Sequence, residues 1–284
     1  MLRSYLIAVL SVIVILTGCK NNLNSINDTA TTDTDCNVHF ETPYIETVSS
    51  TISTISETIK DEPPKKLNSP SGIHYGIYGD TESEDYMDYY LFVPENATEN
   101  MPLIVFLHGD GEVGMSYMME TEGMIVSAHK VYGDQFPFLL LQPCTRQKSW
   151  SDFGIPERLM GLIENLKNTY SVDPNKIIIT GHSRGAIGVW NMVNTYGSYF
   201  SAAVPVSGAA YIPLNYENCT QLPIRCFTGD TWVEMQYYDV EILEVEAVNE
   251  AGGDAEIIIL EGTDHGRSYE SAYTEETFEW MLTR

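Results

Sequence analysis

From about residue 71 onward, short unbroken apolar runs alternate with longer stretches in which apolar residues recur every three or four positions. Leu103-Ile104-Val105-Phe106-Leu107 is the clearest of the short runs, and a strand buried on both faces reads this way. Similar runs at 138–141, 176–180, 202–206, 223–228 and 255–260 predict further strands. The stretches between them predict helices over 117–131, 156–170, 183–196, 235–250 and 275–282. Residues 75–78 and 86–93 alternate like an opening antiparallel pair. Strands alternating with helices imply an α/β domain, a mostly parallel central sheet with helices on both faces. No repeat is visible, and one domain over 71–284 accounts for the pattern.

The chain upstream reads differently. Residues 19–70 are rich in Asn, Ser, Thr and Asp and offer few large apolar side chains, too few to offset the entropy of ordering. They read as a flexible tether, with a weak edge-strand pattern at 44–59. Residues 1–18 read as a signal peptide: Arg3 supplies a positive start, and the apolar run at 5–16 is too short for a stable bilayer span. Leu16-Thr17-Gly18-Cys19 resembles the lipobox of bacterial lipoproteins. That resemblance implies cleavage before Cys19, lipidation of Cys19, and an exported protein anchored in the cell membrane and facing away from the cytoplasm.

Charge and cysteine content narrow the chemistry. Among the 284 residues, 40 are acidic and 15 basic, a formal net charge of −25, so the surface repels phosphate backbones and no nucleic-acid partner is expected. Export permits disulfides, and Cys219 and Cys226 are close enough in sequence to pair across a turn, but spacing assigns no pair. No cysteines and histidines have metal-ligand spacing, so no metal is expected, and no organic cofactor either.

The most informative segment is Ile177-Ile178-Ile179-Thr180-Gly181-His182-Ser183-Arg184-Gly185-Ala186. A G-x-S-x-G pattern following an apolar β-branched strand and opening a helix presents its serine on a sharp turn, with helix N-terminal amides aimed at the oxygen that becomes charged. Ser183 is the candidate nucleophile. A serine needs a base within hydrogen-bond reach, and the loop after the last predicted strand, Glu261 to Gly266, carries His265. His182 is read as packing or lining the turn, and His108 as belonging to another site, the segment at the end of the first parallel strand. A carboxylate should orient the imidazole; the segment after the strand at 223–228 offers Asp230 and Glu234, with nothing in the sequence to choose between them. Phe106-Leu107-His108-Gly109-Asp110-Gly111 ends the first parallel strand, and the backbone N–H of Asp110 or Gly111 would complete an oxyanion hole with that of Arg184. Trp150 is a candidate for lining a cleft, with packing as the alternative.

Together with Pro102 to Gly109, Gln142-Pro143-Cys144, Asp173-Pro174, Ala203 to Gly208 and Ala251-Gly252-Gly253, these residues resemble the α/β-hydrolase esterases related to polyhydroxybutyrate depolymerases, feruloyl and acetyl-xylan esterases and dienelactone hydrolases. The resemblance implies the α/β-hydrolase fold and a serine carboxylic-ester hydrolase working through an acyl-enzyme, on esters of polysaccharides or small exogenous esters. Three positions depart from the family pattern. Thr228 and Trp232 stand where His and Asp are usual, and Arg184 stands where many relatives carry Met or Gln. A serine peptidase of the same fold and a non-catalytic binding lipoprotein on a hydrolase scaffold are the alternatives.

Overall fold

The computed structural model describes residues 65–284 except 84, 111–123, 147, 211–213 and 232–234. The signal peptide, the lipidation residue Cys19, most of the tether including 44–59, Gly111, Trp232 and Glu234 therefore lie outside the described residues.

Eight strands form one sheet: β1 (Gly72–Asp80), β2 (Asp85–Val93), β3 (Leu103–Leu107), β4 (Leu139–Cys144), β5 (Ile177–His182), β6 (Ala202–Val206), β7 (Pro223–Gly229) and β8 (Asp254–Leu260). The spatial order is β1-β2-β4-β3-β5-β6-β7-β8, antiparallel at β1/β2 and β2/β4 and parallel from there to β8. The helices are α1 (Met124–Tyr132), α2 (Ile155–Thr169), α3 (Arg184–Tyr196), α4 (Met235–Glu250), α5 (Ser268–Ala272) and α6 (Glu275–Leu282).

Side chains alternate across the sheet, so successive residues of β3 feed two different cores. Leu103, Val105 and Leu107 pack with Leu159 and Leu162 of α2, Val189 and Val193 of α3, and Val245 and Val248 of α4. Ile104 and Phe106 pack on the other face with Met124 and Ala128 of α1, Ala272 of α5 and Phe278 and Met281 of α6. A five-residue strand buried at every position is what an unbroken apolar run produces when both faces are covered.

Four details differ from expectation. The chain joins the body before residue 71: Lys66 bridges Thr98, Leu67 is buried, and Leu67 N–H donates to Ala97 O at 2.9 Å. β4 runs on through Gln142-Pro143-Cys144, because β3 pairs with it only as far as Leu141 while β2 continues, leaving Pro143 on a side where no ladder donor is needed. Phe138 lies just before β4 and stacks on Phe278, ring centroids 5.5 Å apart. Cys219 and Cys226 are buried free thiols, as is Cys144, and burial pushes Cys226 well above the usual thiol range.

Candidate active site

β3, β5, β7 and β8 run in the same direction, so their exits share one edge of the sheet. At the exit of β5 the backbone turns abruptly. Ser183 has φ 56° and ψ −119°, conformational territory that non-glycine residues avoid at a cost of about 1–3 kcal/mol. Its N–H is tied to Val206 O at 2.9 Å. The two glycines are there because neighbours leave no room. A Cβ on Gly185 would stand 1.9 Å from Leu107 O, and one on Gly181 would stand 2.6 Å from the Gly185 carbonyl carbon. Helix α3 can thus start directly against β3, with Arg184 as its first residue and an N–H that has no acceptor within the helix.

His265, on the loop after β8, places Nε2 2.8 Å from Ser183 Oγ. For Ser183 Oγ–H to donate, Nε2 must carry no proton, leaving Nδ1 as the protonated nitrogen. The imidazole is held from several sides. The His265 carbonyl accepts from His182 Nε2 at 2.8 Å and from Ser268 Oγ at 2.9 Å. The Tyr237 ring stacks on it, centroids 5.5 Å apart and planes 24° off parallel. His182 is therefore more than packing at the turn: it links the residue before Ser183 to the backbone of His265. The α5 helix that supplies Ser268 is only five residues long, too short for a periodic signal, and Tyr237 lay inside an unremarkable helical stretch.

Of the two candidate acids, Asp230 lies just past β7, is exposed, and accepts the N–H of Gly262 through Oδ1 at 2.6 Å. It braces the His265 loop at its backbone. Glu234 lies outside the described residues.

The β3 exit closes the other side. A Cβ on Gly109 would stand 3.4 Å from Ser183 Cβ, so this loop runs against the serine. His108 belongs to this β3-exit segment. It is fully buried, Nδ1–H donates to Gly109 O at 2.8 Å, and Nε2 accepts Thr145 N–H at 3.2 Å. Burial holds its pKa down to about 4, helped by the positive charge of Arg184, so the ring is neutral. Trp150 is buried too; its Nε1–H donates to His108 O at 3.0 Å, and its Cβ would meet a methyl on Gly188 at 2.6 Å. It packs beneath the loop. Beyond it, Arg184 Nε lies 2.8 Å from Asp110 Oδ1 as an ion pair lying off the direction of a hydrogen bond.

Behind Ser183, two carboxylates from α4 tie down the segment after β6. Glu241 Oε1 accepts Gly208 N–H at 2.6 Å, and Glu244 Oε1 accepts Ala210 N–H at 2.7 Å. Gly208 lies so close that a Cβ there would be 2.3 Å from Ser183 O. Burial, and then the nearby Glu241, push Glu244 up to about 8, so it is largely protonated at neutral pH.

No family model matches the sequence. Poly(3-hydroxyalkanoate) depolymerase C of Paucimonas lemoignei is 30% identical over 129 residues, 42% of this chain and 30% of the relative. Acetylxylan esterase A of Emericella nidulans is 23% identical over 172 residues, 56% of this chain and 50% of the relative. The chain thus spans half or less of the length of these two curated relatives. Among solved structures, a thermostable esterase superposes with a TM-score of 0.65 at 27% identity, covering 74% of this chain and 62% of that one. The chain has the α/β-hydrolase fold, and the proteins it is similar to include esterases and a depolymerase.

Proposed function

We propose that the protein is a serine carboxylic-ester hydrolase acting through an acyl-enzyme, with Ser183 as nucleophile and His265 as general base. The observation that carries this reading is the 2.8 Å contact between Ser183 Oγ and His265 Nε2 on a strained strand-to-helix turn. In the proposed cycle Oγ attacks the ester carbonyl while its proton passes to Nε2. The carbonyl oxygen becomes an oxyanion held by the backbone N–H of Arg184 and that of Asp110 or Gly111. Collapse breaks the ester C–O bond, and Nε2–H protonates the departing alkoxide. Water then attacks the acyl-serine with His265 again taking the proton. The second collapse returns that proton to Ser183 and releases the acid.

The orienting carboxylate comes, in this reading, from the segment after β7. Asp230 is exposed and already accepts the Gly262 amide hydrogen, which favours Glu234 for that role. Similarity to acetylxylan esterases favours esters carried by a polysaccharide as substrates. The Leu16-Thr17-Gly18-Cys19 motif favours export and a lipid anchor at Cys19, tested by asking whether Cys19→Ser releases the protein from membranes.

The deciding experiment is hydrolysis of p-nitrophenyl acetate and of acetylated xylan by the wild type beside Ser183→Ala. Turnover on both that vanishes in the variant supports the reading. Equal inertness of two folded proteins would overturn it.

A further inference from the structure

The hairpin joining β1 to β2 rises on the same edge of the sheet as Ser183. β2 runs antiparallel to β4 with Asp88 opposite Cys144, and β4 runs parallel to β3, so β2 starts where β3 and β5 end. Asp85 lies three residues beyond Asp88, about 10 Å past the end of β4. The segment after β4 faces the hairpin. Trp150 ties that segment to His108 O, and a left-handed Gly154, φ 80°, turns the chain into α2. Between hairpin and segment lies a cavity of about 730 Å³, within the range of small-molecule sites, about 300–1,000 Å³. We propose that this cavity is a subsite for a neutral sugar chain, holding a polysaccharide whose ester reaches Ser183. The proposal deepens the esterase reading and rests on it for the part that reaches Ser183.

The lining favours this ligand over others. Phe153 is fully exposed, an aromatic face with no share in the core, and the Tyr78 ring, half-buried against α2, lines the same cavity. Sugar rings present flat C–H faces that pack on aromatic rings, with hydroxyls around the edge. Asp80 and Glu157 also line the cavity, and carboxylates only accept hydrogen bonds, so the ligand must bring donors. A polyester chain brings acceptors alone and leaves those carboxylates unanswered. Lys148 supplies donors for sugar oxygens and works against a cationic ligand. The formal net charge of −25 works against an acidic one. The walls are fixed in advance, because Arg158 of α2 pairs with Asp85 of the hairpin and its side chain is only 11% exposed. β2 stands three strand spacings from β5, about 14 Å, a span that calls for several linked sugars.

Binding can be read apart from turnover. The full chain carrying Ser183→Ala is titrated calorimetrically with xylohexaose, cellohexaose, hexagalacturonate and a 3-hydroxybutyrate hexamer. At least one of the two neutral sugars is expected to bind saturably. Phe153→Ala and Glu157→Ala should each weaken that binding about 3- to 10-fold, the scale of one aromatic or hydrogen-bonded contact. Phe153→Tyr, which keeps the aromatic face, should bind like its parent. Both side chains are exposed, so Tm should be unchanged and lost binding would not reflect unfolding. Flat titrations with both neutral sugars would overturn the subsite. So would tighter binding of hexagalacturonate or of the polyester, or an affinity that either alanine variant leaves unchanged. Ser183-dependent hydrolysis of p-nitrophenyl acetate by the wild type is measured alongside. A wild type with that turnover and no sugar binding overturns the subsite alone. Phe153-dependent sugar binding without turnover overturns the esterase reading alone.

Discussion

His182 Nε2 lies 2.8 Å from the carbonyl oxygen of His265, so the residue before the proposed nucleophile holds the backbone of the residue proposed as its base. Their rings lie 5.0 Å apart, and Ser268 Oγ donates to the same carbonyl. Replacing His182 by Ala removes one tether on the His265 carbonyl and leaves the Ser183 side chain in place. We expect kcat to fall about tenfold with little change in KM, as for a modest misplacement of the base. Steady-state kinetics on p-nitrophenyl acetate check this, and an unaltered kcat would show that the remaining contacts of His265 suffice.

The two carboxylates after β7 are separable by isosteric change. Glu234→Gln should lower kcat by about 10³- to 10⁴-fold, the scale at which loss of the orienting acid disables an imidazole base. Asp230→Asn keeps an acceptor for Gly262 N–H and should cost less than about tenfold. A reversal of that order would move the acid role to Asp230.

His108 makes folding sensitive to acid. Burial, the largest influence, holds its folded pKa at about 4, whereas an unfolded chain binds that proton from about pH 6.5. Between those values the unfolded state carries the extra proton, so stability rises with pH. The contribution is complete above about pH 6.5 and is lost as pH falls to 4. Its full size is about 3 kcal/mol. Urea unfolding of His108→Asn at pH 7 and pH 4.5 should show a shallower loss than the wild type, and identical losses would refute the assignment.

Glu244 acts in the opposite sense. Its unfolded value is near 4.5, and burial followed by the charge of Glu241 lifts the folded value to about 8 against the hydrogen bond from Ala210. Between these values the folded chain keeps a proton that the unfolded chain releases, so stability falls as pH rises and the full penalty is present above about 8. Glu244→Gln should raise Tm at pH 9 by roughly 3 °C or more and leave it unchanged at pH 5. A scan calorimeter at the two pH values decides the matter.

The sequence made the frame legible and the supports illegible. Apolar runs announced the parallel strands, most plainly β3 and β6, because a strand covered on both faces has few polar positions to disguise it. Gly181, Ser183 and Gly185 were readable because their spacing follows from a steric demand, that helix α3 start within contact of Leu107. Nothing comparable marked Glu241 and Glu244. Acids three residues apart, with Asp239 and Glu246 on the same helix, look like a solvated face until the fold presses them against Gly208 and Ala210. The tie between His182 and His265 spans 83 residues, and a fixed separation of that size leaves no local pattern.

At φ 56° and ψ −119°, Ser183 sits in backbone territory that glycine occupies freely. A glycine there would relieve strain of about 1–3 kcal/mol while removing the hydroxyl. With Ser183 as the proposed nucleophile, Ser183→Gly is expected to outlast the wild type on heating and hydrolyse nothing, so endurance and activity would be opposed at this one residue. A library sorted for thermal survival alone would enrich the inert protein, and any hardening of this scaffold has to be selected on turnover as well.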